Sequence, residues 1–236
     1  VKGLYLLGGY PDMKTFDEAL EIALDAGFDF IEVGVPFSDP VADGPVIARA
    51  ALGALKKGVN LKLILDYLKG KRLGERVDLY IMTYSNILWA ANPGRLSGVL
   101  KECGVKGCIV ADLPNEEHPF FKRAGFELPL VSFATPESRE EDLLKLAEVK
   151  EAFIYFVSVR GTTGGSFCLD ADTQRKLLFL KERAKVPVVL GFGIKSREDV
   201  EKALTLAHGF VIGTKAIELL SEDIKAFERW CREIAG

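Results

Sequence analysis

The chain has almost no histidine, two residues in 236, and its four cysteines, Cys103, Cys108, Cys168 and Cys231, form no CxxC pair. So few imidazoles disfavour a histidine base or a histidine-rich metal site, and His118 and His208 read more simply as surface residues. The cysteines lie in otherwise apolar segments, where they act as small hydrophobes of a reducing compartment rather than as a disulfide framework. Charge of one sign is lacking too: 31 Lys and Arg face 34 Asp and Glu, a formal net charge of −3. That balance argues against binding nucleic acid or an anionic membrane surface by bulk electrostatics. No apolar run reaches the roughly 18 residues of a membrane span, and the opening VKGLYLLGGYPD has neither a signal-peptide h-region nor a cleavage site. The expectation is a cytoplasmic protein.

What is present is an alternation of short β-branched or aromatic runs with amphipathic stretches. The runs are Leu4 to Leu7, Phe28 to Val35, Val77 to Met82, Gly107 to Ala111, Leu128 to Phe133, Ala152 to Val157, Val186 to Leu190 and Gly209 to Ile212. Between and after them, helical patterns cover Lys14 to Ala26, Val46 to Lys57, Leu61 to Lys69, Gly94 to Cys103, Glu116 to Lys122, Glu140 to Glu148, Ala171 to Ala184, Arg197 to Leu206 and Glu222 to Ala235. Thr15, and the Ser196 and Asp199 pair, mark helix starts. Eight such units at about 30 residues each predict an α/β fold, a (β/α)8 TIM barrel, with residues 1–236 as a single domain. A doubly wound open sheet would want a GxGxxG turn after its first strand, and Gly8-Gly9-Tyr10-Pro11 is not one.

In a barrel, chemistry gathers at the C-terminal ends of the strands. Strand 2 alternates so that Phe30, Glu32 and Gly34 share the face opposite Ile31, Val33 and Val35. The apolar face suits the helix layer, which leaves Glu32 inside the barrel as a candidate general acid or base with a raised pKa. A structural Glu paired with a distant Arg or Lys is the alternative. The next ten residues, Pro36 to Pro45, hold three prolines and a glycine within a stiff loop that presents Asp43 opposite Glu32, although Asp-Pro and Asp-Gly steps also serve as plain turns. Strand 6 ends in the glycine- and threonine-rich segment Gly161 to Ser166, a candidate lid. Strands 7 and 8 end in Gly191-Phe192-Gly193-Ile194 and Gly213-Thr214, where close-approaching amides and a short helix opening after Gly213 suit a phosphate. The cavity between would be lined by Tyr5, Tyr84, Ile109, Ala111, Tyr155 and Val211, apolar and aromatic, suited to a flat hydrophobic body. No strand tip offers a lysine for a Schiff base, and Asp112 is a third acid that could join Asp39 or Asp43 at a Mg²⁺, against which no metal site is expected.

Glu32-Val33-Gly34-Val35-Pro36-Phe37-Ser38-Asp39-Pro40-Val41-Ala42-Asp43-Gly44-Pro45 closely resembles the hallmark segment of the tryptophan synthase alpha subunit family. Val110-Ala111-Asp112-Leu113-Pro114, Gly161-Thr162-Thr163-Gly164 and Gly191-Phe192-Gly193-Ile194 match in order and spacing, so the likeness covers essentially the whole chain. The resemblance implies a lyase of L-tryptophan biosynthesis that cleaves indole-3-glycerol phosphate to indole and glyceraldehyde 3-phosphate by a retro-aldol reaction, with no cofactor in this chain. It places Glu32 as general acid/base and Asp43 as the carboxylate that holds the indole N–H. Tyr155 becomes an aromatic beside the substrate, Thr163 and Gly164 parts of a closing loop, and Gly164, Phe192, Gly193, Gly213 and Thr214 phosphate-binding positions. It further implies a beta-subunit partner carrying pyridoxal phosphate, in an alpha-beta-beta-alpha heterotetramer, docked around Pro36 to Asp39 and Asp112 to Asn115.

Three departures accompany the likeness. The sequence opens almost at strand 1, so the N-terminal helix that plugs the barrel floor is expected to be missing or very short. Thr214 stands where serine is common, which keeps the hydroxyl. Arg160 is shifted from its usual place beside the serine, and no role is carried onto it. Two other readings compete: another phosphate-binding barrel of amino-acid or thiamine biosynthesis, and a catalytically weak barrel that binds and activates a partner.

Overall fold

Parallel pairing follows directly from the alternation of strand and helix, because each strand must be re-entered from the same end after a helical crossover. The strands are β1 (Lys2–Leu7), β2 (Phe30–Gly34), β3 (Asp78–Thr83), β4 (Val105–Val110), β5 (Ser132–Ala134), β6 (Ile154–Val157), β7 (Val188–Gly191) and β8 (Gly209–Ile212). They form one sheet in the order β4-β3-β2-β1-β8-β7-β6-β5, all neighbours parallel. This computed structural model describes residues 1–157, 169–191 and 193–236. The two sheet edges meet through a parallel bridge between Cys108 and Leu130, with Cys108 N–H donating to Pro129 O and Val131 N–H to Cys108 O, each at 2.9 Å. The result is an eight-stranded barrel closed at its weakest seam by one bridge, the (β/α)8 architecture expected.

Around it lie α1 (Met13–Ala26), α2 (Pro45–Lys56), α3 (Leu61–Lys71), α4 (Ser85–Ala90), α5 (Pro93–Glu102), α6 (His118–Arg123), α7 (Glu140–Ala147), α8 (Ala171–Arg183), α9 (Arg197–Leu206), α10 (Thr214–Glu222) and α11 (Ile224–Ala235). The Ser196 and Asp199 pair is a reciprocal capping box at α9. At α1, however, the cap is Asp12, whose side chain accepts the Thr15 N–H at 2.9 Å, so the start lies one turn before the threonine. The expected fifth strand, Leu128 to Phe133, shrinks to Ser132–Ala134, since Pro129 has no N–H to offer the ladder. The short α4 was not anticipated, because six residues carry too little periodicity to read. The last helix begins at Ile224, capped by Asp223, rather than at Glu222, which ends α10.

Glycine and tyrosine are complementary on the inner face. A Cβ on Gly34 would lie 2.3 Å from Tyr5 Oη, and one on Gly191 would lie 2.1 Å from a Tyr155 ring carbon. Both rings can turn into the barrel only because the neighbouring strand has no side chain there. Lower down, Phe30, Tyr80 and Phe153 pack in a triangle with ring centroids 5.1–5.7 Å apart, made possible by Gly3, whose Cβ would collide with Phe30 at 2.2 Å. Cys103, Cys108 and Cys231 are free and buried in the apolar layers, while Cys168 lies outside the described residues. Among the described residues no helix is long and apolar enough to cross a membrane. Gly34→Ala is expected to destabilise the fold by about 1–3 kcal/mol through overpacking against Tyr5; a urea midpoint equal to wild type would show that the ring moves aside without strain.

Candidate active site

Parity along β2 delivers Glu32 to the interior. In register, Tyr5 of β1 and Tyr80 of β3 flank it, and the carboxyl is fully buried. Neither of its oxygens has a hydrogen-bond partner among the described residues. A charge there has no compensation, so burial pushes its pKa up to about 8 and the group carries its proton at neutral pH. The structural alternative of a partnered glutamate is absent among the described residues.

Asp43 arrives from the loop after β2. It is less enclosed than Glu32; burial raises its pKa, while a hydrogen bond from the Tyr84 hydroxyl to Oδ2 at 2.8 Å opposes the rise. Tyr5 and Tyr155 are held far from ionisation, first by burial and then by the field of the acids, among which both feel Glu32 and Asp43. These four side chains therefore share one low-dielectric space.

That space is a cavity of about 300 Å³ bordered by Tyr5, Glu32, Asp43, Met82, Tyr155 and Val211, and by Gly193, Lys195, Gly213 and Thr214. Gly193 holds φ at +80°, a conformation that suits glycine, and Gly213 precedes α10, whose first turn leaves its amides without a side-chain cap. The two acids and the uncapped amides border this same space together with aromatic and aliphatic side chains. A second cavity of about 360 Å³, bordered by Ala42, Met82, Ala111, Asp112, Phe133, Thr135, Tyr155 and Val157, adjoins the first across Met82 and Tyr155.

Of the positions read from sequence, Tyr5, Glu32, Asp43, Tyr155, Val211, Gly193, Gly213 and Thr214 meet in the first cavity, and Ala111 borders the second. Ile109 is fully buried and borders neither, and Tyr84 stands behind Asp43 instead of lining the space. Thr163, Gly164, Phe192 and Arg160 lie outside the described residues. Asp112 has both oxygens engaged, accepting Ser85 N–H at 2.7 Å and Ser85 Oγ–H at 2.8 Å. His118 is half-buried with its pKa lowered by burial, whereas His208 is exposed as expected, its Nδ1 accepting the Val188 N–H at 3.1 Å. Sequence reading missed Met82, Phe133, Val157 and Lys195. Met82 and Val157 were findable by parity from Tyr80 and Tyr155, whereas Lys195 is placed by its main chain, whose N–H goes to Asp199 Oδ2 at 3.0 Å and whose carbonyl accepts Trp230 Nε1–H at 3.1 Å.

The buried Glu32 has a measurable signature. Its pKa is higher folded than unfolded, so below about pH 4.5 both states are protonated and the residue is neutral toward stability; between that and about pH 8 the unfolded state ionises first, and stability is lost as pH rises. Glu32→Gln should thus match wild type near pH 4 and exceed it by a few kcal/mol, to order of magnitude, above pH 8. Urea unfolding across pH checks this, and a gap that does not vary with pH would contradict it.

The family of the tryptophan synthase alpha chain matches residues 4–235. A tryptophan synthase alpha chain from Listeria welshimeri is 37% identical over 94% of this chain and 86% of its own length. Among solved structures, tryptophan synthase from M. tuberculosis in its aminoacrylate-bound form superposes with a TM-score of 0.86 at 27% identity, over 100% of this chain and 91% of that one. A mutant tryptophan synthase alpha subunit from the hyperthermophile Pyrococcus furiosus gives 0.86 at 29% identity, over 98% and 96%. With strand order, the paired acids and the glycine turns in the same chain as these likenesses, the protein belongs to the tryptophan synthase alpha chain family.

Proposed function

We propose that this chain cleaves indole-3-glycerol phosphate to indole and glyceraldehyde 3-phosphate with Glu32 as the proton carrier and Asp43 as the partner of the indole N–H. The observation that carries the assignment is the fully buried, unpartnered Glu32 facing the same cavity as Asp43. A carboxyl with a pKa near 8 holds a proton to give at neutral pH and, once ionised, is basic enough to take one back.

The steps balance. Glu32 gives its proton to C3 of the indole ring, which becomes an indoleninium with its positive charge on nitrogen. Asp43, ionised and hydrogen-bonded to that N–H, stabilises the charge as it develops. The hydroxyl of the adjacent glycerol carbon then loses its proton to the Glu32 carboxylate. Its electrons form the aldehyde, the carbon–carbon bond breaks, and the bonding pair returns to the ring as neutral indole. Because the protonated ring is its own electron sink, this chain needs no cofactor for the step. Tyr5, Tyr155, Met82 and Val211 offer a flat apolar bed for the ring, and the amides near Gly193, Gly213 and Thr214 suit the phosphate at the far end. Phe192, Thr163 and Gly164 complete the phosphate and loop-closure set by resemblance.

A beta subunit is the partner this reading requires, in an alpha-beta-beta-alpha complex whose pyridoxal phosphate resides in the beta chains. The second cavity, bordered by Ala111, Asp112 and Pro114, opens beside the segment assigned to docking.

The test is indole release from indole-3-glycerol phosphate by the purified chain, alone and with a beta subunit added. Slow release that rises sharply with the beta subunit is expected, and Glu32→Gln should reduce it by about a hundredfold or more in both conditions. No indole in either condition would overturn the lyase reading in favour of a partner-binding barrel, and full turnover by Glu32→Gln would overturn the role of Glu32.

A further inference from the structure

The loop that carries Asp43 has little of its own to hold it. Within it, Val41 N–H donates to Asp39 O at 2.8 Å and Asp43 N–H to Pro40 O at 3.0 Å, and its root is tied where Val35 N–H donates to Met82 O at 2.8 Å. Prolines at 36, 40 and 45 stiffen the chain but remove three donors. The polar ties of its Asp43 end to the barrel converge on Tyr84. The Tyr84 hydroxyl donates to Asp43 Oδ2 at 2.8 Å and accepts the Ala42 N–H at 3.2 Å, and the Phe37 ring lies against the Tyr84 ring with centroids 4.8 Å apart. One phenol therefore grips both ends of the loop, and the buried ring that bears it cannot follow the loop if it drifts.

Tyr84 is itself anchored. It immediately precedes α4, and Ser85, the first residue of that helix, gives both its N–H and its hydroxyl to the two oxygens of Asp112 beyond the end of β4. Two sets of short hydrogen bonds, Asp112 to Ser85 and Tyr84 to Asp43, joined by the backbone between Tyr84 and Ser85, thus connect the tip of strand 4 to the Asp43 carboxylate. Tyr84 borders neither cavity, so it touches Asp43 from behind.

We infer that Tyr84 is a positioning residue for the reaction, holding the Asp43 carboxylate and its loop in the working geometry, with Asp112 fixing Tyr84 through Ser85. The inference rests on the reading of Asp43 as the acceptor of the substrate N–H. Its physical basis is that a donor aimed at one carboxylate oxygen fixes the rotamer and leaves the other oxygen for the ligand, while favouring the ionised form. Among the described residues, the other titratable groups in the field of Asp43 are Tyr5 from β1, Glu32 from β2 and Tyr155 from β6, of which only Glu32 titrates near neutrality.

The experiment is a double-mutant cycle on indole formation by the free chain, using Tyr84→Phe, Asp43→Asn and the two combined, with a pH profile of kcat/KM for wild type and Tyr84→Phe. Phenylalanine keeps the ring against Phe37, and thermal melting checks that each variant is folded. Tyr84→Phe should lower kcat about tenfold with KM changed about twofold or less. The limb of the profile that reports Asp43 should move to higher pH, because loss of the donor raises the carboxyl pKa. In the Asp43→Asn background the same substitution should cost almost nothing more, since its effect passes through the carboxylate. Asp112→Ala should give a smaller loss of kcat that does not add to that of Tyr84→Phe. Fully additive losses from Tyr84→Phe and Asp43→Asn would assign Tyr84 a direct substrate contact and overturn the inference, as would an unchanged kcat and pH profile in Tyr84→Phe. Unchanged turnover in Asp43→Asn would instead overturn the reading of Asp43, and the inference with it.

Discussion

A carboxyl enclosed by a ring of parallel strands, with no hydrogen-bond partner among the described residues, is the constraint on which the rest of this protein turns. Glu32 is fully buried and has no donor among the described residues, so its charged form is expensive and its proton is retained to about pH 8. Such a group subtracts from stability at neutral pH. The barrel tolerates it because the surrounding apolar burial is extensive, from the aromatic triangle beneath it to the helix layer outside the strands. Stability is given up at one point on the inner face, as it is where a group's pKa is displaced for chemistry.

The second acid is arranged on the opposite principle. Asp43 is only partly enclosed and has a phenol donor, so burial and hydrogen bonding pull its pKa in opposing directions. Two carboxyls in one cavity thereby acquire different characters from their surroundings alone: one keeps its proton, and the other has a donor that favours its ionised form. Rigid β2 holds the first and a proline-braced loop the second, with Tyr84 tying that loop back to the frame. Glycine at 34 and 191 matters for the same geometry, since without those gaps neither Tyr5 nor Tyr155 could lie in the cavity.

Glu32 was legible as an interior acid because strand parity is local: alternate residues point to opposite faces whatever the strand packs against. The convergence of Gly193, Gly213 and Thr214 on one cavity was legible because glycine turns and helix starts are also local. Tyr84 and Ile109 read as cavity walls but border neither of the two cavities described; Tyr84 lies just past the end of β3, where the pleat no longer governs it, while Ile109 lies within β4 and is fully buried. Asp112 read as a spare acid at a strand tip, and only the fold brings Ser85 to it from a segment 27 residues earlier. The contraction of the fifth strand likewise reflects a missing proline N–H at the closing seam, where one bridge completes the ring.

The sequence by itself determined the order of strands and helices, the class of barrel, the inward face of β2 and the family resemblance, because periodicity, capping and motif spacing are properties of contiguous residues. Tertiary structure alone decided which side chains share the cavity, how that space divides at Met82 and Tyr155, and that Tyr84 serves Asp43 instead of facing the cavity. Those outcomes depend on how strands from distant parts of the chain stagger as the sheet closes and on the path each loop takes over the barrel mouth. Both are set by the packing of all eight units at once.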